Sequence, residues 1–166
     1  MKKYEIRPIR KSDDKLLAPI IRKNLEAYRL NIPGTAYFDP ELDHLSQFYG
    51  SEPDSRAYFV LTDEAGKVLG GAGFAEFPGL PDCAELQKLY LTDAVKGNGL
   101  GRGLVETVEL YAECMGYKRL YLETHSSMRQ AAALYQKMGF TLIAKPEGVV
   151  HTTMNRFYIK ELGQDE

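Results

Sequence analysis

The chain has 166 residues, 44% of them hydrophobic and 27% charged, which is the length of one ordinary globular domain able to bury roughly 70% of its unfolded surface without a staple. A formal net charge of -2 and a pI of about 6.0 exclude a dedicated nucleic-acid binder, whose domain is strongly basic. Cys83 and Cys114 stand in no metal-ligand spacing, no apolar run follows Lys2 and Lys3, and no stretch nears 18 apolar residues; we therefore expect a cytoplasmic protein with no metal, leader or membrane span.

The predicted elements follow from hydrophobic spacing. Tyr4 to Pro8 alternates apolar and polar, as a strand does. Ser12 offers an N-cap, and Leu16, Leu17, Ile20, Ile21, Leu25 and Tyr28 recur at helical spacing, giving a helix over Lys11 to Arg29. Asp39-Pro40 resembles an N-cap with proline at the first helical position, so a short helix is expected from there to Tyr49. Ala57 to Thr62, Lys67 to Phe77 and Ala84 to Thr92 read as three strands in a meander, the first two joined through Asp63 to Gly66. Leu100, Leu104, Val108, Tyr111 and Met115 then form one helical stripe, closed by Gly116. Lys118 to Thr124 is a strand, Ala131 to Met138 a helix stopped by Gly139, and Phe140 to Ala144 and Met154 to Lys160 are two last strands. The order β-α-α-β-β-β-α-β-α-β-β implies an α/β (α+β) class, with a mixed sheet of about seven strands flanked by helices. No linker or repeat divides the chain, so one domain over 1–166 is expected.

The segment with chemical content is Val95-Lys96-Gly97-Asn98-Gly99-Leu100-Gly101-Arg102-Gly103, between a strand and a helix. Glycines let backbone approach a ligand closely. The unpaired N–H groups of a first helical turn, with the helix dipole, suit a phosphate or pyrophosphate. The dinucleotide fingerprint GxGxxG fails, because Arg102 stands where its third glycine belongs, and no GxxxxGK[ST] occurs. A nucleotide-phosphate binder or a ligand-free glycine-rich helix entry are the plainer alternatives.

Lys96-Gly97-Asn98-Gly99-Leu100-Gly101 resembles the Gln/Arg-x-x-Gly-x-Gly/Ala signature of the GNAT N-acetyltransferase superfamily, with lysine where glutamine or arginine is usual. Ala131-Ala132-Ala133-Leu134-Tyr135-Gln136-Lys137-Met138-Gly139-Phe140 is similar to that family's Ala-x-x-Leu-Tyr-x-x-x-Gly-Phe, and Met128 replaces the usual asparagine seven residues before the tyrosine. Leu86 to Thr92 is similar to the strand that precedes the pyrophosphate loop. The three stretches occur in the family's order.

The resemblance implies the GNAT fold and acetyl-CoA as co-substrate. It implies a primary amine of a small molecule, peptide or protein as acceptor, attacking directly in a ternary complex. Leu89 and Leu91 would pair their backbone with the pantetheine arm. The pyrophosphate would be held by Lys96, Gly97, Asn98, Gly99, Leu100, Gly101 and Arg102, chiefly through amides. Tyr135 would protonate the leaving thiolate. An alkylamine is only about 0.04% neutral at pH 7, so a proton must also leave the acceptor. Glu85, eleven residues ahead of Lys96, is the implied base, with His125 and water as rivals. Tyr37 and Asp39 are candidates for acceptor contact beside plain turn and cap roles, while His44 and His151 have no visible partner. A homodimer through the late strands is compatible with this reading. A non-catalytic acyl-CoA-binding module is the alternative from another class.

Overall fold

The computed structural model describes residues 2–163; residue 1 and residues 164–166, the ends of the expected domain, lie outside the described residues. Seven strands form one sheet: β1 (Tyr4–Pro8), β2 (Ala57–Asp63), β3 (Val68–Glu76), β4 (Cys83–Leu91), β5 (Arg119–Thr124), β6 (Thr141–Ile143) and β7 (Arg156–Glu161). Their order is β1-β2-β3-β4-β5-β7-β6. The β4–β5 pair is parallel and every other pair antiparallel. The expected mixed sheet and element order are therefore present.

Alternation along the strands gives the sheet two apolar faces, and each is covered. Helices α1 (Asp14–Ala27) and α2 (Leu45–Gly50) bury Leu17, Ile21, Leu25, Leu45 and Tyr49 against Tyr58 and Val60. Helices α3 (Leu100–Cys114) and α4 (Arg129–Lys137) bury Leu104, Val105, Val108 and Tyr135 against Leu61, Phe74, Leu86, Leu120 and Leu122. Of the stripe read from Leu100 to Met115, Leu104 and Val108 are buried and Leu100 and Met115 partly so; Tyr111 is exposed, and Val105 and Ala112 complete the buried face of α3. Its end is closed by hydrogen bonds from Gly116 N–H to the Glu113 carbonyl and from Tyr117 N–H to the Ala112 carbonyl.

Two expected helix starts are corrected. Ser12 does not cap a helix: Lys11–Asp13 is a short 3-10 turn and α1 begins at Asp14. The buried Asp13 carboxylate takes the capping work instead, accepting from the Arg10 N–H at 2.7 Å and from the Arg7 guanidinium at 2.8 and 2.9 Å. Nor does Asp39-Pro40 start a helix. Ala36–Phe38 is a 3-10 turn capped by Thr35, and α2 begins only at Leu45. The Asp39 side chain is engaged in ion pairs across the molecule, a stronger claim on a carboxylate than a helix end.

Strand β4 carries the irregularity that shapes the functional region. Gly71 faces Tyr90 and Gly73 faces Gln87, so two residues, Lys88 and Leu89, oppose the single residue Ala72. Lys88 sits at φ 52, the left-handed region that non-glycine residues rarely occupy. Such a bulge bends its strand. Pairing with β5 ends at Glu85 opposite Tyr121, although β4 continues to Leu91 and β5 to Thr124.

Close strand packing beside the bulge depends on glycine. A Cβ on Gly73 would lie 2.5 Å from the Ala57 carbonyl oxygen and 2.5 Å from a Tyr58 ring carbon. The Gly73→Ala variant is expected to lose about 1–3 kcal/mol through overpacking. Gly50→Ala, at the end of α2 with nothing within 4 Å, should hold or raise the melting temperature. Thermal unfolding of the two variants checks the contrast.

Candidate active site

The divergence of β4 from β5 opens a cavity of about 570 Å³. It is bordered by Leu86, Leu89 and Leu91 of β4, Leu122 and Glu123 of β5, the loop into α3, and one face of α4 that includes Leu134 and Tyr135. Most residues that the sequence singled out for a donor molecule meet here: Leu89, Leu91, Lys96, Gly97, Gly99, Leu100, Gly101, Arg102 and Tyr135 all line it. Met128, at the N-cap of α4, lines it too. Two do not. Asn98 folds its side chain back onto the Val95 carbonyl at 3.3 Å, and Glu85 lies on the neighbouring face of β4.

The loop fits an anion. Gly97 and Gly99 adopt φ of 82° and 74°, which a side chain would strain, and nothing lies within 4 Å of where either Cβ would stand. Gly99 is the N-cap of α3 and supplies no capping side chain. The N–H groups of Leu100, Gly101 and Arg102 thus begin a 15-residue helix with no side-chain cap, at the positive end of its dipole. Lys96 is held by Asp93 at 2.8 Å and Arg102 by Glu106 at 3.2 Å. Both pairs are surface pairs, worth about 0–1 kcal/mol, so either cation exchanges its partner for a phosphate at little cost.

Tyr135 is buried on α4, packed edge-on to Phe140 and tilted against Tyr158. Burial, with a smaller contribution from Tyr158, keeps its hydroxyl protonated well beyond neutral pH. Among the described residues that hydroxyl makes no hydrogen bond, and Tyr135 borders the cavity.

A network of charged groups lies on the α1/α2 side of the sheet, and two of them, Lys88 and Glu123, border the cavity. The buried Lys88 ammonium pairs with Asp39 at 2.8 Å and Glu41 at 3.4 Å. Burial opposes its charge, but Asp39 and Glu41 outweigh this and hold it above the ordinary lysine range. His151, on the β6–β7 loop, lies between Asp39 (Nε2 to Oδ1, 2.7 Å) and Glu123 (Nδ1 to Oε1, 3.3 Å). Burial lowers its affinity for a proton, yet the two carboxylates overcome this and raise its pKa to about 10. Burial raises Asp39, and His151 and Lys88 more than offset that, leaving it below the ordinary carboxylate range. Glu123 also accepts from the Tyr121 hydroxyl at 2.8 Å.

Glu85 is half-buried in this network. Burial, then the neighbouring Glu123, pushes its pKa up to about 7. Its Oε1 accepts from the Gln87 amide at 2.9 Å, and Gln87 in turn accepts from the Tyr49 hydroxyl at 2.7 Å. His125 lies elsewhere: it forms a turn with Ser127 at the end of β5 and does not border the cavity. His44 precedes α2 without capping it through its side chain. Tyr37 donates to Glu26 at 2.6 Å.

Sequence reading missed Lys88, Glu123, His151 and Asn24. The first three meet only through folding, His151 being 112 residues from Asp39. Asn24 carried a signal, since it is a polar residue within the apolar stripe of α1. Its amide donates to the Ile20 and Leu91 carbonyls, both at 2.9 Å, and it borders the cavity.

Comparison with known proteins places this geometry. Residues 22–140 match the model of the Acetyltransferase (GNAT) family. YjgM, an uncharacterized N-acetyltransferase of Escherichia coli K12, is 41% identical over 130 residues, which are 77% of this chain and 76% of that protein. A GNAT-family acetyltransferase structure from Staphylococcus aureus superposes over 96% of this chain and 99% of its own with TM-score 0.81 at 18% identity. A phosphinothricin acetyltransferase from Sinorhizobium meliloti, solved with acetyl-CoA, superposes over 96% of this chain and 89% of its own with TM-score 0.75 at 20% identity. On the extent of the family match and of the likeness to YjgM, the chain belongs to the acetyltransferase (GNAT) family.

Proposed function

We propose that the chain is a single-domain, acetyl-CoA-dependent N-acetyltransferase that acts on a primary amine by direct attack within a ternary complex, with Tyr135 as general acid and Glu85 as general base. The observation that carries the reading is Tyr135: it borders the cavity, and its hydroxyl makes no hydrogen bond among the described residues. The same cavity also reaches a glycine loop suited to a pyrophosphate. The amides of Gly97 to Arg102 would hold the donor's phosphates. The β4 backbone at Leu89 and Leu91 would align the pantetheine arm, although the Leu91 carbonyl already accepts one bond from Asn24.

Donor and acceptor then react on residues of this chain. Glu85 takes a proton from the acceptor ammonium, directly or through water. The freed amine attacks the thioester carbonyl; a C–N bond forms, the nitrogen loses its second proton to water, and the C–S bond breaks. Tyr135 gives its proton to the departing thiolate, and water returns the proton from Glu85 to the tyrosine. The products are an acetylated amine and CoA thiol. Burial keeps the proton on the Tyr135 oxygen at neutral pH, so that it is present to be donated as the thiolate departs. A pKa of about 7 suits Glu85 to accept a proton near neutral pH. Among the described residues no helix is long and apolar enough to cross a membrane.

Release of CoA thiol across a panel of alkylamines, amino acids and peptide N-termini tests the activity; acetyl-CoA that binds yet yields no thiol with any amine would defeat it. Tyr135→Phe should lower turnover by about 10²–10⁴ while acetyl-CoA affinity stays near the parent value. Unchanged turnover would remove the tyrosine from the mechanism. The pH dependence has a definite sign. Below about 7 Glu85 holds its own proton and cannot accept another, so the rate should climb with pH through that value and then level. Glu85→Gln should abolish this limb of the profile.

A further inference from the structure

Three chain segments that are remote in sequence converge on one imidazole. His151 comes from the β6–β7 loop, Asp39 from the segment between α1 and α2, and Glu123 from β5. The loops are also sewn together beside it: Thr153 N–H donates to the Gly34 carbonyl at 3.0 Å and its hydroxyl to the Pro33 carbonyl at 2.7 Å. The Glu123 side chain is 5% exposed and Asp39 11%, so neither carboxylate has bulk water to neutralise it. Lys88 serves Asp39 and Glu41, whereas among the described residues Glu123 has only His151 as a cationic partner within ion-pair distance. Tyr121 is directly opposite Glu85 in the sheet register, and Glu123 follows two residues on, on the same face.

We propose that His151 is a positioning residue of the acetyl-transfer site: it is the fixed cation that holds the Glu123 carboxylate in place and neutralised beside Glu85. The consequence for catalysis rests on Glu85 being the base. The groups that bear on Glu85 are Glu123 and Tyr121 from β5, Lys88 and Cys83 from β4, Tyr49 from α2 and His151 from the β6–β7 loop. Asp39 and Glu41 reach it through the cations they hold. Of these, Glu123 favours the protonated carboxyl and His151 the ionised one. Removing one or the other should therefore move Glu85 in opposite directions, an outcome that general loosening of the loop does not produce.

The test is a carbon-13 titration of the Glu85 carboxyl in the ligand-free protein, with Glu85→Gln used to assign the signal. His151→Gln should raise the Glu85 midpoint by about one pH unit, Glu123→Gln should lower it by about one, and His151→Lys should return it toward the parent value. Acetyl-CoA affinity should be unchanged in the His151 variants, because His151 does not border the cavity. Equal midpoints in all variants, or shifts of one sign, would overturn the proposal. If His151→Gln does not fold, Glu123→Gln and His151→Lys still decide it. Because the titration needs no acceptor, it is read separately from catalysis. A limb of the CoA-release profile that survives in Glu85→Gln refutes the base assignment, and with it the catalytic consequence of the positioning role.

Discussion

The functional region depends on one constraint, the bulge that places Lys88 in a left-handed conformation in the middle of a sheet strand. Two residues there face one, and β4 leaves β5 after Glu85. A regular strand would continue the ladder to its end and leave no cavity. A strained backbone persists only where its surroundings over-determine it. Here the Lys88 carbonyl is held by the Tyr58 hydroxyl at 2.8 Å, and its ammonium by Asp39 and Glu41. The buried ion pair is thus structural at one end and part of the site's electrostatics at the other. A buried pair offers little net stability but costs much to break from one side.

The two sides of the opening differ in kind. Toward α3 and α4 the lining is mostly apolar, and charge is handled by backbone amides and a helix end. Such a surface can receive a polyanion without a basic patch, which reconciles a chain of net charge -2 with a phosphate-bearing donor. Toward α1 and α2 lie four carboxylates and two cations, largely withdrawn from water and, except for Glu85, joined in ion pairs. In that setting small changes in charge move proton affinities by whole units. Acid and base chemistry at neutral pH needs such a division, with one group kept protonated by burial and another poised by its neighbours. Tyr135 and Glu85 fit those parts.

Much of this was legible in the sequence. Alternation placed β1, apolar runs placed the other six strands, and period-3.6 spacing placed the two long helices, because burial selects apolar residues on each covered face. The glycine loop was legible because glycine adopts the left-handed conformations at 97 and 99 without strain. Where reading failed, a long-range partner had won. Ser12 lost the helix start to Asp13, which Arg7 holds from β1. Asp39 lost its cap to Lys88 and His151. Asn98 sat inside the right motif, yet its side chain folds onto a local carbonyl.

The sequence by itself determined the elements, their order and the glycine loop, since each follows from local spacing and from what a residue's backbone allows. Near-zero net charge excluded a strongly basic domain, but it was silent on how charge is distributed. Only the tertiary structure decided that distribution. Asp39, Lys88, Glu123 and His151 are ordinary charged residues along the chain, and burial together turns them into a coupled set. Coulomb interactions gain strength as water is excluded, and water is excluded only once the sheet, its bulge and the two loops have closed around them.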